Sequence, residues 1–368
     1  MRPPNGLCAI HPAGPRSLAA NLTHPERRLS LRLAHHCSPQ GLRTTAPSLA
    51  RRVVAVPSQA GWFSRDEAIM GTAVHVELWA SSRAQGDVAM AAVMAEMHRI
   101  DAAMSPHKPT SELSRINRDA GSQAVPLSAE MFALIERSVA FSELAGGAFD
   151  ITFASVGNLF DYRAGTAPDA TALARGRAAI GYRHLLLDTH ARTLRFGLAG
   201  MRIDLGGFAK GHAVDGCVAI LARLGIRHAI VSAGGDSRVL GDKLGQPWMI
   251  AIRDPRRADA VVAVLPLEDV AISTSGDYER FFERGGVRCH HLIDPSTGAS
   301  PTGVRSVTIL ADDGLTSEAL SKSVFVLGVE RGLALVETQA GCDAVVIDAQ
   351  GALHFSAGLM AGGMPATP

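Results

Sequence analysis

Ala229-Ile230-Val231-Ser232, Trp248-Met249-Ile250-Ala251-Ile252, Val261-Val262-Ala263-Val264-Leu265 and Val270-Ala271-Ile272-Ser273 follow one another with no helical stretch between them. Each run is short, apolar and rich in β-branched residues, and each reads as a strand. Before them, Phe208 to Leu224 carries apolar residues at helical spacing, and after them come strand patterns at His291–Ile293 and Val304–Leu310. Two helical stretches, Leu315–Leu327 and Glu330–Ala340, precede a last strand pair, Ala344–Ile347 and Ala352–Phe355. Nearer the start, Thr72–Trp79 alternates like a strand, Ala84–Met104 and Ser128–Leu144 read as helices, and 184–188 with 193–196 read as a hairpin. Strands and helices in no strict βαβ rhythm predict an α+β domain over residues 65–368, with mixed, largely antiparallel sheets and packed helices.

With 47% hydrophobic residues in 368, the chain can bury a sizeable core. Lys+Arg of 36 against Asp+Glu of 35 leaves no basic excess for nucleic acid, and aromatics at 5% are too sparse for a base-stacking surface. No window is long and apolar enough to predict a transmembrane segment. Five widely spaced cysteines (Cys8, Cys37, Cys217, Cys289, Cys342) give no C-x-x-C pair, which argues against structural zinc or a disulfide framework. Cys289-His290-His291 resembles a metal tract, but adjacent side chains on a strand face opposite ways and cannot converge on one ion.

Residues 1–64 are arginine-rich with Glu26 as their one acid before the globular pattern starts, and they carry no periodicity. They are expected to be a disordered or spurious leader. The apolar stretch after Arg51-Arg52 is only Val53-Val54-Ala55-Val56, too short for a competent secretory signal.

Standard phosphate and nucleophile motifs are absent: there is no strand-linked G-x-G-x-x-G, no P-loop and no G-x-S-x-G. Glycine-flanked polar clusters stand in their place. They are Met70-Gly71-Thr72, Gly147-Ala148-Phe149-Asp150, Asp204-Leu205-Gly206-Gly207-Phe208-Ala209-Lys210-Gly211 and Ala233-Gly234-Gly235-Asp236. Ser273-Thr274-Ser275-Gly276-Asp277 and His291-Leu292-Ile293-Asp294-Pro295-Ser296-Thr297-Gly298 follow. Glycine lets a backbone approach a ligand closely, and a helix starting after it offers free N–H groups to a phosphate. Taken singly, each cluster reads equally as a turn, a cap or core packing.

Taken in this order, from Met70 to about Gly328, they resemble the FAD:protein FMN transferase family, also called the ApbE family. The resemblance implies a tunnelling-fold-like domain with FAD in a cleft and Mg²⁺ on its pyrophosphate. It implies that FAD meets Met70, His107, Ala148, Phe149, Asp150, Asp204, Lys210, Ser275, Gly276, Asp277 and Leu292, and that His291 deprotonates the acceptor threonine. The acceptors it implies are membrane-bound or secreted redox proteins carrying Asp-x-x-Thr. A periplasmic or envelope location would follow, whereas the leader leaves the cytoplasm equally open.

One segment departs from the family. Relatives place an Asp and, four residues on, a Thr on the helix after the long C-terminal strand. This chain has Glu318 and Lys322, with Ser321 before the lysine. Spacing i, i+3, i+4 puts the three on one helix face. Glu318, Ser321 and the carbonyl of Gly207 are the expected Mg²⁺ neighbours, and Lys322 shares the position without being able to ligate. The residues leave three activities open: FMN transfer, hydrolysis of FAD to FMN and AMP, or flavin binding without catalysis.

Overall fold

β1 (Gly61–Ile69) and β2 (Thr72–Ala80) pair antiparallel, with Ile69 opposite Thr72, so Met70-Gly71 alone makes the turn. Both take positive φ, 56° and 69°, the mirror-image turn whose twist suits a two-residue hairpin. Gly71 adopts it freely, whereas Met70 is strained there. The computed structural model describes residues 59–257 and 259–361, and expectations for residues 1–58 lie outside these. Residues 61–64, assigned from the sequence to the leader, belong to β1. Trp62 packs 5.6 Å edge-on to Trp248 and 6.0 Å from Trp79.

α1 (Arg83–Met104) starts at Ser82, whose hydroxyl accepts from the Gln85 N–H, and buries Ala89, Val93, Met97 and Ile100 on one face. α2 (Glu112–Asp119) and β3 (Val125–Pro126) follow. α3 (Ala129–Leu144) is capped by Ser128, as the sequence indicates. α4 (Ala154–Gly157) and α5 (Ala170–Ala178) lead to the expected hairpin, β4 (Leu185–Asp188) with β5 (Thr193–Phe196). Next come α6 (Ala209–Arg223), β6 (Ala229–Ala233), β7 (Asp236–Leu240), β8 (Trp248–Arg253), β9 (Val261–Leu267) and β10 (Ala271–Gly276). After these lie the hairpin β11 (Phe281–Arg284) with β12 (Val287–His290), then β13 (Val304–Ala311), α7 (Gly314–Leu327) and α8 (Val329–Glu337). β14 (Asp343–Asp348), β15 (Leu353–Phe355) and α9 (Ala357–Ala361) end the described chain.

Eight strands form one open sheet in the order β1-β2-β6-β7-β10-β13-β14-β15, antiparallel at every step. Side chains alternate across it. Val231, Ile309 and Val346 join a core with Val93, Cys217 and Leu320 from α1, α6 and α7. Their neighbours Ile230, Leu310 and Val345 join a second core with Trp248, Ile250 and Leu265 of the β8–β9 hairpin. The α+β class with largely antiparallel sheets agrees with the sequence reading. The strand expected at His291–Ile293 is absent, because β12 stops at His290. There the Ser300 hydroxyl accepts from the His290 N–H at 2.9 Å and donates to its carbonyl at 2.6 Å, replacing a ladder partner. No helix among the described residues is long and apolar enough to cross a membrane.

α6 and α7 cross where glycine meets glycine. A Cβ on Gly211 would overlap the Gly314 carbonyl, and one on Gly314 would lie 2.6 Å from the Gly211 carbonyl. Asp215 of α6 reinforces the crossing by accepting from the N–H groups of Gly314 and Leu315 at 2.8 and 3.1 Å. Gly211→Ala is therefore expected to destabilise the protein by about 1–3 kcal/mol through overpacking. Thermal unfolding would measure this, and an unchanged midpoint would mean the helices separate at no cost.

Candidate active site

Two lysines and two acids meet where α6, α7, β7 and β10 converge. Lys210, in the first turn of α6, places its ammonium 2.6 Å from Asp236 Oδ2 and directly on Glu318 Oε1. Asp236 opens β7 and Glu318 faces inward from α7, and they are 2% and 0% exposed. Glu318 Oε2 accepts from the Gly211 N–H at 2.7 Å. Asp236 Oδ1 accepts from the Ser273 hydroxyl at 2.5 Å. Lys322, one turn beyond Glu318, sets its ammonium 3.5 Å from Glu318 Oε1 and 3.9 Å from Asp236 Oδ1. Its stem lies along Gly207, where an added Cβ would touch Lys322 carbons at 3.6–3.9 Å.

Burial opposes every charge here, and partners decide the outcome. Burial pushes Asp236 up, but Lys210 and Lys322 hold its carboxyl below the usual range. Burial also disfavours the Lys210 ammonium, and the two acids outweigh it, raising its pKa. Burial and then the Asp236 charge push Glu318 up, while burial pushes Lys322 down.

His291 lies within reach of this field. Burial lowers its pKa to about 3, helped by Arg280, His290, Lys322 and Lys210. Its Nδ1 is buried without a protein partner, and its N–H donates to the Arg280 carbonyl at 3.1 Å. The Arg280 guanidinium donates to the Gly71 carbonyl at 3.1 Å, bringing the strained Met70-Gly71 turn to the same place. Burial pushes the Asp204 carboxyl up, opposed by the Gly206 N–H and by the charges of His107, Lys210 and Arg280. His291, Lys210, Asp204, His107, Met70, Gly207, Glu318, Ser321 and Lys322 thus gather around one region.

The other residues expected to meet FAD have partners within the scaffold. Both Asp150 oxygens are used: Oδ1 accepts from the Thr152 N–H and hydroxyl, and Oδ2 from the Tyr182 N–H. Phe149 packs 5.6 Å from Phe208 and 6.3 Å from Phe141, supporting the start of α6, and Ala148 packs beside that core. Asp277 is held on both oxygens by Arg256 at 2.7 and 2.6 Å. Gly276 leaves room for the Tyr278 ring, with which a Cβ would collide, and Leu292 is a core residue. Ser275 hydrogen-bonds Ser321 at 2.9 Å. His290 is a buried core residue, its Nε2 2.9 Å from the Pro301 carbonyl, its Nδ1 without a protein partner and its ring edge-on to Phe325.

The sequence reading left out Asp236, Ser273 and Arg280. Asp236 carried a signal, since it follows Gly234-Gly235 and only glycine fits there: a Cβ on Gly235 would lie 2.5 Å from the Thr274 carbonyl.

The Mg²⁺ implied by the resemblance does not fit these side chains. No group of three or more His, Cys, Asp or Glu able to hold a metal exists among the described residues. Both Glu318 oxygens are engaged. The Ser321 hydroxyl lies 3.0, 2.9 and 2.9 Å from Ser273 Oγ, Ser275 Oγ and the Glu318 carbonyl. An ammonium already stands between the acids, where a dication would be repelled.

The fold and sequence are similar to those of known proteins. The model of the ApbE family matches residues 70–346. The FAD:protein FMN transferase of Treponema pallidum is 35% identical over 318 residues, 81% of this chain and 88% of that protein. That of Vibrio cholerae serotype O1 is 34% identical over 248 residues, 66% of this chain and 74% of that protein. The crystal structure of the ApbE protein of Thermotoga maritima superposes with a TM-score of 0.76 at 32% identity, covering 82% of this chain and 99% of that one. The flavin transferase ApbE of Vibrio cholerae gives 0.73 at 28% identity, covering 82% and 99%. With its fold, its glycine-flanked clusters and these relatives in accord, the chain belongs to the ApbE family.

Proposed function

We propose that this enzyme transfers the FMN half of FAD to a threonine hydroxyl of an acceptor protein, releasing AMP. The relatives named FAD:protein FMN transferase support the reaction. The observation that carries it is an unpartnered imidazole beside a paired-lysine cluster. The threonine oxygen attacks the FMN phosphorus, the bond from that phosphorus to the bridging oxygen breaks, and AMP leaves. Lys210 and Lys322 would stabilise the negative charge that grows on the phosphate oxygens, and ammonium groups held by the fold beforehand need no reorganisation during the step. His291 is uncharged in the resting protein and can accept the threonine proton before passing it to water. The proposal includes an acceptor with an Asp-x-x-Thr motif and, following such acceptors, an envelope location.

Incubation with FAD and an Asp-x-x-Thr acceptor tests it. Covalent flavin on the acceptor with one AMP per flavin is expected. Free FMN with AMP would replace transfer by hydrolysis, and intact FAD would remove the catalytic reading.

A further inference from the structure

We infer that Lys322 takes the place of a divalent ion in this chain, so that FAD binds and FMN is transferred without a metal. The inference rests on the flavin-transfer reading above and goes beyond it.

Three observations on separate elements converge. On α7, Lys322 and Glu318 share one face, with the ammonium 3.5 Å from the carboxylate oxygen that also holds Lys210. On β7, Asp236 lies 3.9 Å from the same ammonium and 2.6 Å from Lys210. On the loop before α6, Gly207 lies against the Lys322 stem. The ammonium therefore stands among the positions from which the family resemblance would draw ligands.

The chemistry differs accordingly. Mg²⁺ needs an octahedral set of oxygens at about 2.0–2.1 Å. Here the Glu318 oxygens and the Ser321 hydroxyl are committed to protein partners. A lysine ammonium offers instead three donors as a compact charge, a standard way of holding phosphate. Lys322 has one approach each to Glu318, Ser321 and Asp236, all at 3.4–3.9 Å, longer than good hydrogen bonds. Its donors are thus weakly used by the protein and can turn to a non-bridging pyrophosphate oxygen. No bond to Lys322 forms or breaks in the step.

The test is FAD binding, read by flavin fluorescence, with EDTA and then with added Mg²⁺. It is run on the wild-type protein, Lys322→Thr and Lys322→Arg, with AMP release measured in parallel. The wild-type dissociation constant and AMP release are expected to be the same in EDTA and in Mg²⁺. Lys322→Thr is expected to bind FAD about 10- to 100-fold more weakly in EDTA and in Mg²⁺ alike, the loss of a charge-assisted hydrogen bond, because Lys210 and the Gly211 N–H still occupy the Glu318 oxygens. Lys322→Arg keeps the charge and is expected to stay indifferent to EDTA. The wild-type arm depends on no variant folding. Wild-type protein that binds FAD only with Mg²⁺, along the same titration as Lys322→Thr, would overturn the inference and leave flavin transfer standing. FAD binding by neither protein in either condition would overturn the transfer reading as well.

Discussion

His291→Ala is expected to slow FMN transfer by about 100- to 10,000-fold, the usual contribution of a positioned general base. FAD binding should change little, because the His291 backbone is held through Arg280 and survives the substitution. The pH dependence carries a second signature. Burial and the surrounding positive charges hold His291 near a pKa of about 3, so the resting imidazole is neutral across the physiological range. Bound FAD brings negative pyrophosphate charge against the lysines and Arg280, which raises the pKa of His291 in the complex. The acidic limb of kcat should then lie at higher pH than that of kcat/KM, and both limbs should vanish in the variant. Stability responds as well. Between its ordinary value of 6.5 and about 3, the unfolded chain binds a proton that folded His291 does not. Stability therefore falls as pH drops through that window, and His291→Ala should flatten the fall. Single-turnover flavin transfer and unfolding at several pH values read all of this. Full transfer by the alanine variant would assign the base elsewhere.

Lys210→Met is expected to cost about 3–5 kcal/mol of stability even without FAD, because it strips a counterion from two buried carboxylates. From the sequence alone, Lys210 is expected to contact FAD with no part in the fold. The structure adds that part, since its ammonium joins Asp236 and Glu318 across α6, β7 and α7. Lys322 is near both acids at 3.9 and 3.5 Å, so it softens the loss without abolishing it. Neutralising the cluster together, with Lys210→Met, Lys322→Met, Asp236→Asn and Glu318→Gln, should recover much of the stability, because no bare charge then remains buried. Urea unfolding of the single and quadruple variants separates the two effects. An unchanged midpoint for Lys210→Met would mean the ion pairs are not formed in solution.

The sheet was legible where burial imposed a period. Strands at 72–80, 248–253 and 304–311 and helices at 83–104 and 209–223 follow apolar spacing closely. β1 was partly hidden because it is an edge strand, and Ser64, Arg65 and Asp66 in its middle face solvent. β7 reads Asp-Ser-Arg-Val-Leu, polar at its start because Asp236 and Ser237 turn to buried partners. The hairpin β11–β12 is mostly exposed and carries little apolar signal. In the site, glycine-flanked polar residues could be picked out singly, but their pairing could not. Asp236 and Glu318 are far apart in sequence, and only the order of strands around α6 brings them to one ammonium. Asp150 shows the converse: a polar residue beside the right glycines whose carboxylate caps the turn at Thr152 and ties it to the Tyr182 N–H.

The glycine contact between α6 and α7 also governs motion. The carbonyl of each glycine lies where the other's Cβ would sit, and Asp215 pins the contact further, which leaves little slack for one helix to slide or swing against the other. Lys210 rides on the first of these helices and Glu318 on the second, so their separation is fixed whether or not a flavin is present. A hinge cannot pass between them. Motion in this region therefore runs through other elements, while Lys210 and Glu318 keep their spacing.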